Sequence, residues 1–388
     1  MGVALAITGL GCIGAPGSGL AAQAHALEHG ACHLASSDDP RLPLARLLPI
    51  GRVADPLPPL PSRTAALAAR AGAEALAAAG LGRADRGGIA VVIGSCTAGI
   101  SESERDFLDR DQEHSWPSYR RQQTHRLTAM VARVLACGGM QSTHSVACAS
   151  AAAAIAEAAE VVRSGIAPVA LAIGADALTR LTMAGFASLQ LIDAQGCRPL
   201  IRERGGMSLG EGAGALVIED AAHARARGAR PCAALLGWGL RSDAFHATSP
   251  DPHGAQLARA VREALTDAGV APGAVGYVNA HGTGTADNDA CETTALARLF
   301  GAVPVASSKR TYGHTMGAAA AIEAVAVCLA LRAQTLWPSA GADHGEALTG
   351  VEVVRARRAG VLDIVLSTTL AFAGVNAALV FGRGERAA

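Results

Sequence analysis

The stretch SVACASAAAAIAEAA, residues 145–159, places one cysteine, Cys148, at the mouth of an alanine run. Alanine is the strongest helix former, so the run predicts a helix from about Ser150, ended by Gly165. A thiol in that place has two readings. It is a small apolar side chain in a tight core position, or it is a nucleophile whose thiolate a helix N-terminus favours.

On either side, apolar strands and helices alternate. Residues 3–11, 87–95, 168–178, 212–220, 275–283 and 303–309 read as strands, and LDIVLSTTLAFAGVNAALVFG (362–382) as two strands joined by a turn. Residues 19–30, 62–81, 256–270 and 317–334 read as helices, and 101–126 as polar and irregular, with Trp116, Pro117, Arg120 and Arg121. The strands are apolar runs, not alternating ones, so helices should cover both faces of the sheet. The class is therefore α/β. No long Pro/Gly/Ser linker divides the chain. A soft boundary near residue 230 separates 1–230 from 231–388, and no repeat is evident between them.

The chain has 388 residues, half of them hydrophobic and only 3% aromatic. Its core must be built from Ala, Val, Leu and Ile at close backbone approach, which suits the 45 glycines. With 33 basic and 33 acidic residues there is no overall field for nucleic acid. Nine cysteines in apolar surroundings, without paired CxxC spacing, point to reduced thiols and a cytoplasmic setting. The N-terminus lacks a basic n-region, and no uninterrupted apolar stretch reaches membrane-spanning length.

Three motifs are better explained by structure than by chemistry. Gly9-x-Gly11-x-x-Gly14 has the form of the dinucleotide fingerprint, but its acidic partner would be Glu28, within a helical pattern; a tight strand-to-helix turn is the plainer reading. His25 to His29 spells the inverted zinc-protease motif, but Gly30 ends the helix and no third ligand is evident. RERGGMSLGEGAG is glycine-rich without the Gly-Lys-Ser/Thr ending of a P-loop.

A fourth set differs in kind. Cys148, His281 in NAHGTGT, and Lys309 and His314 in SSKRTYGHTMGAAAAIE all lie in loops that follow strands, where open α/β sheets build their sites. Together they supply a nucleophile and nitrogen donors.

These segments, with ITGLGCIG, GFASLQLI, LGEGAGALVIED, SDAFHATSPDPHG and LAFAGVN, resemble the β-ketoacyl-acyl carrier protein synthases, in the condensing-enzyme group with the thiolase fold. The elongating bacterial type and its type II polyketide relatives are most similar, and SCTAGISESE resembles the branch that makes aryl polyenes. The resemblance implies two similar, interlocked α/β halves in a layered αβαβα core, the first (1–230) carrying the cysteine and the second (231–388) the histidines and lysine. It implies decarboxylative condensation of an acyl-Cys148 thioester with malonyl-acyl carrier protein, as in fatty-acid or polyketide synthesis. His281 and His314 would donate hydrogen bonds to the enolate, with Lys309 paired to Glu323. The backbone N–H groups of Cys148 and of the loop around Phe372 would form the oxyanion hole.

Thr283 and Thr285 match the threonines that contact phosphopantetheine, which arrives on the carrier protein; no separate cofactor and no metal is implied. Arg63, Arg120, Arg121 and Arg126 are candidates for a patch that greets an acidic carrier protein. Of the family's glycine-rich gate Phe372 and Gly374 remain, but Leu370, Ala371 and Ala373 replace an aromatic and two glycines, and alanine resists positive φ. A homodimer, or a heterodimer with a ketosynthase-like chain-length subunit, is implied, with neither nucleic acid nor membrane as partner. The alternatives are a non-catalytic partner subunit, with Cys148 inert, and a dinucleotide-dependent oxidoreductase.

Overall fold

The computed structural model describes residues 3–108, 119, 120 and 122–387. In chain order its strands are β1 (Leu5–Gly14), β2 (Gly17–Ser18), β3 (Ala90–Gly94), β4 (Gln141–His144), β5 (Val169–Asp176), β6 (Gly212–Asp220), β7 (Ala233–Ser242), β8 (Tyr277–Asn279), β9 (Pro304–Ala306), β10 (Thr335–Leu336), β11 (Glu352–Val353), β12 (Arg358–Ala359), β13 (Ile364–Leu370) and β14 (Val375–Arg383). One sheet runs in the order β11-β9-β8-β13-β14-β7-β1-β6-β5-β3-β4, with β2 on β1, while β10 pairs with β12 apart from it.

That path holds one pattern twice. β4, β3 and β5 are parallel, and β6 and β1 continue antiparallel. In the same chain order, β9, β8 and β13 are parallel, and β14 and β7 continue antiparallel. The halves join where their first strands pair antiparallel, Leu5 opposite Leu235 and Ile7 opposite Ala233. No period in the sequence betrays this, because topology repeats where side chains do not.

The buried helices Ser150–Arg163 and Ala319–Ala333 share one core with strand residues of both halves. Arg63–Ala78 and Thr124–Leu135 pack with the alternate residues of the first half's strands, and Ala255–Asp267 with those of the second half. Both faces of the sheet are therefore covered, as apolar strand runs require. Layers this close need positions without side chains. A Cβ on Gly174 would stand 2.6 Å from the Ala151 Cβ and 2.8 Å from the Ala321 Cβ; one on Gly214 would stand 2.5 Å from the Ala321 carbonyl carbon.

Several expectations change. Gly9-x-Gly11-x-x-Gly14 is not a strand-to-helix turn, because it lies inside β1. A Cβ on Gly9 would meet Ala75 O at 2.1 Å, and one on Gly11 would meet Ala71 O at 2.0 Å, so the helix Arg63–Ala78 fills the space a pyrophosphate needs. The stretch 101–126 is not irregular throughout, because the helices Ile100–Leu108 and Thr124–Leu135 run into it from both ends; Trp116, Pro117 and Arg121 lie outside the described residues. β4, QSTH, is a strand without an apolar run, because it pairs on one side only, at the sheet edge. Met316–Ala333 is long and apolar enough to cross a membrane by length and composition, but 89% of it is buried inside the protein, as befits a core helix. The rings of His25 and His29 lie 4.4 Å apart and tilted by 44°, beside Gly30, which turns at φ +58.

Gly174→Ala should lower the unfolding free energy by about 1–3 kcal/mol, the usual cost of overpacking, measured by urea denaturation. An unchanged midpoint would show that the two helices can yield.

Candidate active site

The parallel strands β3, β4, β5, β8, β9 and β13 send their following loops toward one site. Cys148 follows β4. A tight turn carries it, with Ala147 at φ +50 and the Ser150 hydroxyl accepting from Val146 N (2.9 Å) and donating to Ala147 O (2.6 Å). His314 follows β9, the equivalent strand of the second half. Its N–H donates to Ser208 O (2.7 Å), and its carbonyl accepts from Gly210 N (2.9 Å). The two buried helices start just beyond these loops, so the close approach that Gly174 permits also brings His314 Nε2 within 2.9 Å of Cys148 Sγ. His281 follows β8, and its ring stands edge-on to that of His314, with centroids 5.1 Å apart. One sulfur or nitrogen atom from each of the three lies within 4.8 Å of the others, and all three residues are buried.

Lys309 fixes the charges. It is 2% exposed, and its Nζ donates to His281 O (2.8 Å), to His281 Nδ1 (3.3 Å) and to the Glu323 carboxylate. An ammonium only donates, so His281 Nδ1 accepts and the ring proton sits on Nε2. Burial, then Lys309, then His314 hold the His281 imidazole well below its ordinary range; burial and Lys309 do the same to His314. Both rings are neutral donors or acceptors. Nδ1 of His314 has no hydrogen-bond partner among the described residues.

Burial pushes the Cys148 thiol up to about 12, although Lys309 and the backbone of Phe372 and Cys148 pull it down. The expectation of a thiolate favoured by the helix N-terminus is therefore overturned for the resting protein: desolvation outweighs the dipole.

Buried carboxylates that the sequence reading missed hold the loops. Glu292 accepts from His281 N (2.7 Å), Gly282 N (2.8 Å) and the Thr368 hydroxyl (2.6 Å), and burial raises it to about 7. Asp176 accepts from Ser95, from Cys96 and Thr97, and from Gly317 N at 2.7 Å, tying the loop after β3 to the loop that carries His314. The available signal was an acid inside an apolar strand run, VALAIGAD.

A cavity of about 340 Å³ reaches Cys148, His281 and His314 past Thr283, Thr285 and Phe372. The two threonine hydroxyls bond each other at 2.9 Å. The Phe372 ring lies 5.4 Å from that of Phe186. Ala373 takes φ +63 beside Gly374 at φ +76, so alanine accepts the left-handed turn it was expected to resist, at about 1–2 kcal/mol. Arg204 also lines the cavity and donates to the carbonyls of Ile201, Thr285 and Ala286; the sequence reading overlooked it. Arg63 is not free to greet a partner: its guanidinium turns inward onto Glu211 and Val53 O, away from this cavity. Arg120 and Arg126 are exposed, and Arg121 lies outside the described residues.

Residues 62–224 match the family described as Beta-ketoacyl synthase, N-terminal domain, and residues 232–343 its C-terminal domain. This chain belongs to the β-ketoacyl synthase family. It is 39% identical over 241 residues to Nodulation protein E of Rhizobium meliloti, covering 61% of this chain and 60% of that one. It is 37% identical over 255 residues to 3-oxoacyl-[acyl-carrier-protein] synthase 2 of Rhizobium meliloti strain 1021, covering 62% and 60%. The matches thus span about three fifths of these curated relatives. The solved ishigamide ketosynthase/chain length factor superposes with a TM-score of 0.91 at 30% identity, covering 99% of this chain and 100% of that one. The thiolase-like ketosynthase fold is the fold of this chain.

Burial of Glu292 stabilises its protonated form in the fold, so its contribution is present at low pH. That contribution is lost as pH rises from the ordinary 4.5 through about 7. Melting temperature against pH should fall across that window in the wild type, and Glu292→Gln should flatten the fall. Equal slopes in the two proteins would remove Glu292 as its source.

Proposed function

We propose that this chain is a catalytic ketosynthase subunit that condenses an acyl group held on Cys148 with malonyl-acyl carrier protein. The carrying observation is the thiol 2.9 Å from a neutral imidazole, at the end of a cavity that His281 and Phe372 also line.

In the first half-reaction the sulfur attacks the acyl thioester of a carrier-bound phosphopantetheine. The thiol proton passes to His314 Nε2 and then to the departing pantetheine thiolate. In the second, malonyl thioester loses carbon dioxide and its electron pair moves to the thioester oxygen. His281, held with its proton on Nε2 by Lys309, donates to that oxygen. His314 supplies the second hydrogen bond. The carbanion attacks the acyl-Cys148 carbonyl, whose oxyanion meets the N–H groups of Cys148 and Phe372. Collapse releases a β-ketoacyl chain on the carrier protein and expels the Cys148 thiolate, which takes up one proton from solvent, replacing the one that left on the pantetheine thiol.

Thr283 and Thr285 line the route for the pantetheine arm. We read the residues up to 230 and those beyond it as the two functional halves, the reaction as part of fatty-acid or polyketide synthesis, and the setting as cytoplasmic. The partners are an acyl carrier protein and a second subunit, its own copy or a chain-length factor, docking at the free edge of β4. A non-catalytic role is disfavoured by the retained cysteine, and an oxidoreductase by the helix packed on Gly9 and Gly11.

Intact-protein mass spectrometry after incubation with acyl-carrier proteins tests this. The wild type should gain an acyl mass and Cys148→Ala none. His281→Ala should still load acyl chains but lose condensation by at least about 100-fold, as loss of an oxyanion donor does. An unloaded wild type, or a mass that survives in Cys148→Ala, would overturn the mechanism.

A further inference from the structure

Cys148, His281 and His314 present a soft sulfur and two imidazole nitrogens within 4.8 Å of one another. Such a set suits a thiophilic divalent cation, whose tetrahedral shell spans ligand atoms about 3.3–3.7 Å apart. The fourth position would open into the cavity of about 340 Å³. A nucleophile built this way is exposed to capture by zinc-like ions, which would replace the thiol proton and release it to solvent.

One residue works against that capture. Lys309 is the only lysine in a chain whose other basic side chains are arginine or histidine. A metal-binding histidine normally donates its second ring N–H to an acceptor, which leaves the other nitrogen free for the ion. At His281 this is inverted: the second nitrogen faces a donor, Lys309 Nζ, at 3.3 Å. The proton is thereby forced onto the nitrogen an ion would need. The ammonium also sets a fixed positive charge beside the ligand set, anchored by Glu323 and by His281 O at 2.8 Å. Arginine would carry the same charge, but as a planar fork; the compact ammonium serves these three acceptors at once.

We propose that Cys148, His281 and His314 form a latent site for a thiophilic divalent metal ion, and that Lys309 excludes the ion from it. This stands on the geometry alone and does not require the condensation reaction.

Cobalt(II) is the probe, because a bound thiolate gives it a charge-transfer band in the near ultraviolet. The metal-free wild type, Lys309→Met and Lys309→Met/Glu323→Gln are titrated, the double variant sparing the fold an unpaired buried carboxylate. Circular dichroism selects the folded variants. The lysine variants should show the band and bind cobalt on the order of 100-fold more tightly than the wild type. Adding Cys148→Ala should abolish the band. In the wild type, cobalt should leave alkylation of Cys148 by iodoacetamide unchanged. Protection of the wild-type thiol overturns the proposal whatever the variants do; so does a folded lysine variant that binds no more tightly, or a band that survives Cys148→Ala.

Discussion

The structure depends on how closely two buried helices approach the sheet. At Gly174 the missing Cβ admits Ala151 from one helix and Ala321 from the other. Those helices begin just after Cys148 and just after the loop of His314. Steric access at glycines such as Gly94, Gly174 and Gly214 therefore lets the two helices, and with them the sulfur and the imidazole, come close. The low aromatic content and the many alanines serve the same end, since larger side chains would push the layers apart.

Dryness follows from that closeness and governs the chemistry. Desolvation raises the Cys148 thiol and lowers both histidines, so the resting site carries a neutral thiol and two neutral rings. The Lys309–Glu323 ion pair sits on the far side of His281. Lys309 holds the proton of His281 on Nε2, while Nε2 of His314 faces the Cys148 sulfur.

The duplicated topology explains why the groups of the candidate site come from distant parts of the chain. Cys148 and His314 occupy the loop after the same strand of each half, and pairing of β1 with β7 brings the halves together. The carboxylates of Asp176 and Glu292 brace neighbouring loops from below, each saturated by backbone N–H and hydroxyl donors.

By itself the sequence determined the α/β class, most of its long helices and strands, and the identities of Cys148, His281, Lys309 and His314, because apolar periodicity and residue chemistry are local. It implied a strand before Cys148 but gave the edge strand β4 no bounds, because a strand bonded on one side needs no apolar run. It misread Gly9 and Gly11, because glycine looks alike whether it turns the chain or admits a helix. It also placed Arg63 among exposed cations, although Glu211, far along the chain, draws it inward. Tertiary structure alone decided the ionisation of the thiol, the tautomer of His281 and the carboxylates that hold the loops. Each of these depends on which groups share a buried volume, and burial is a property of the folded chain.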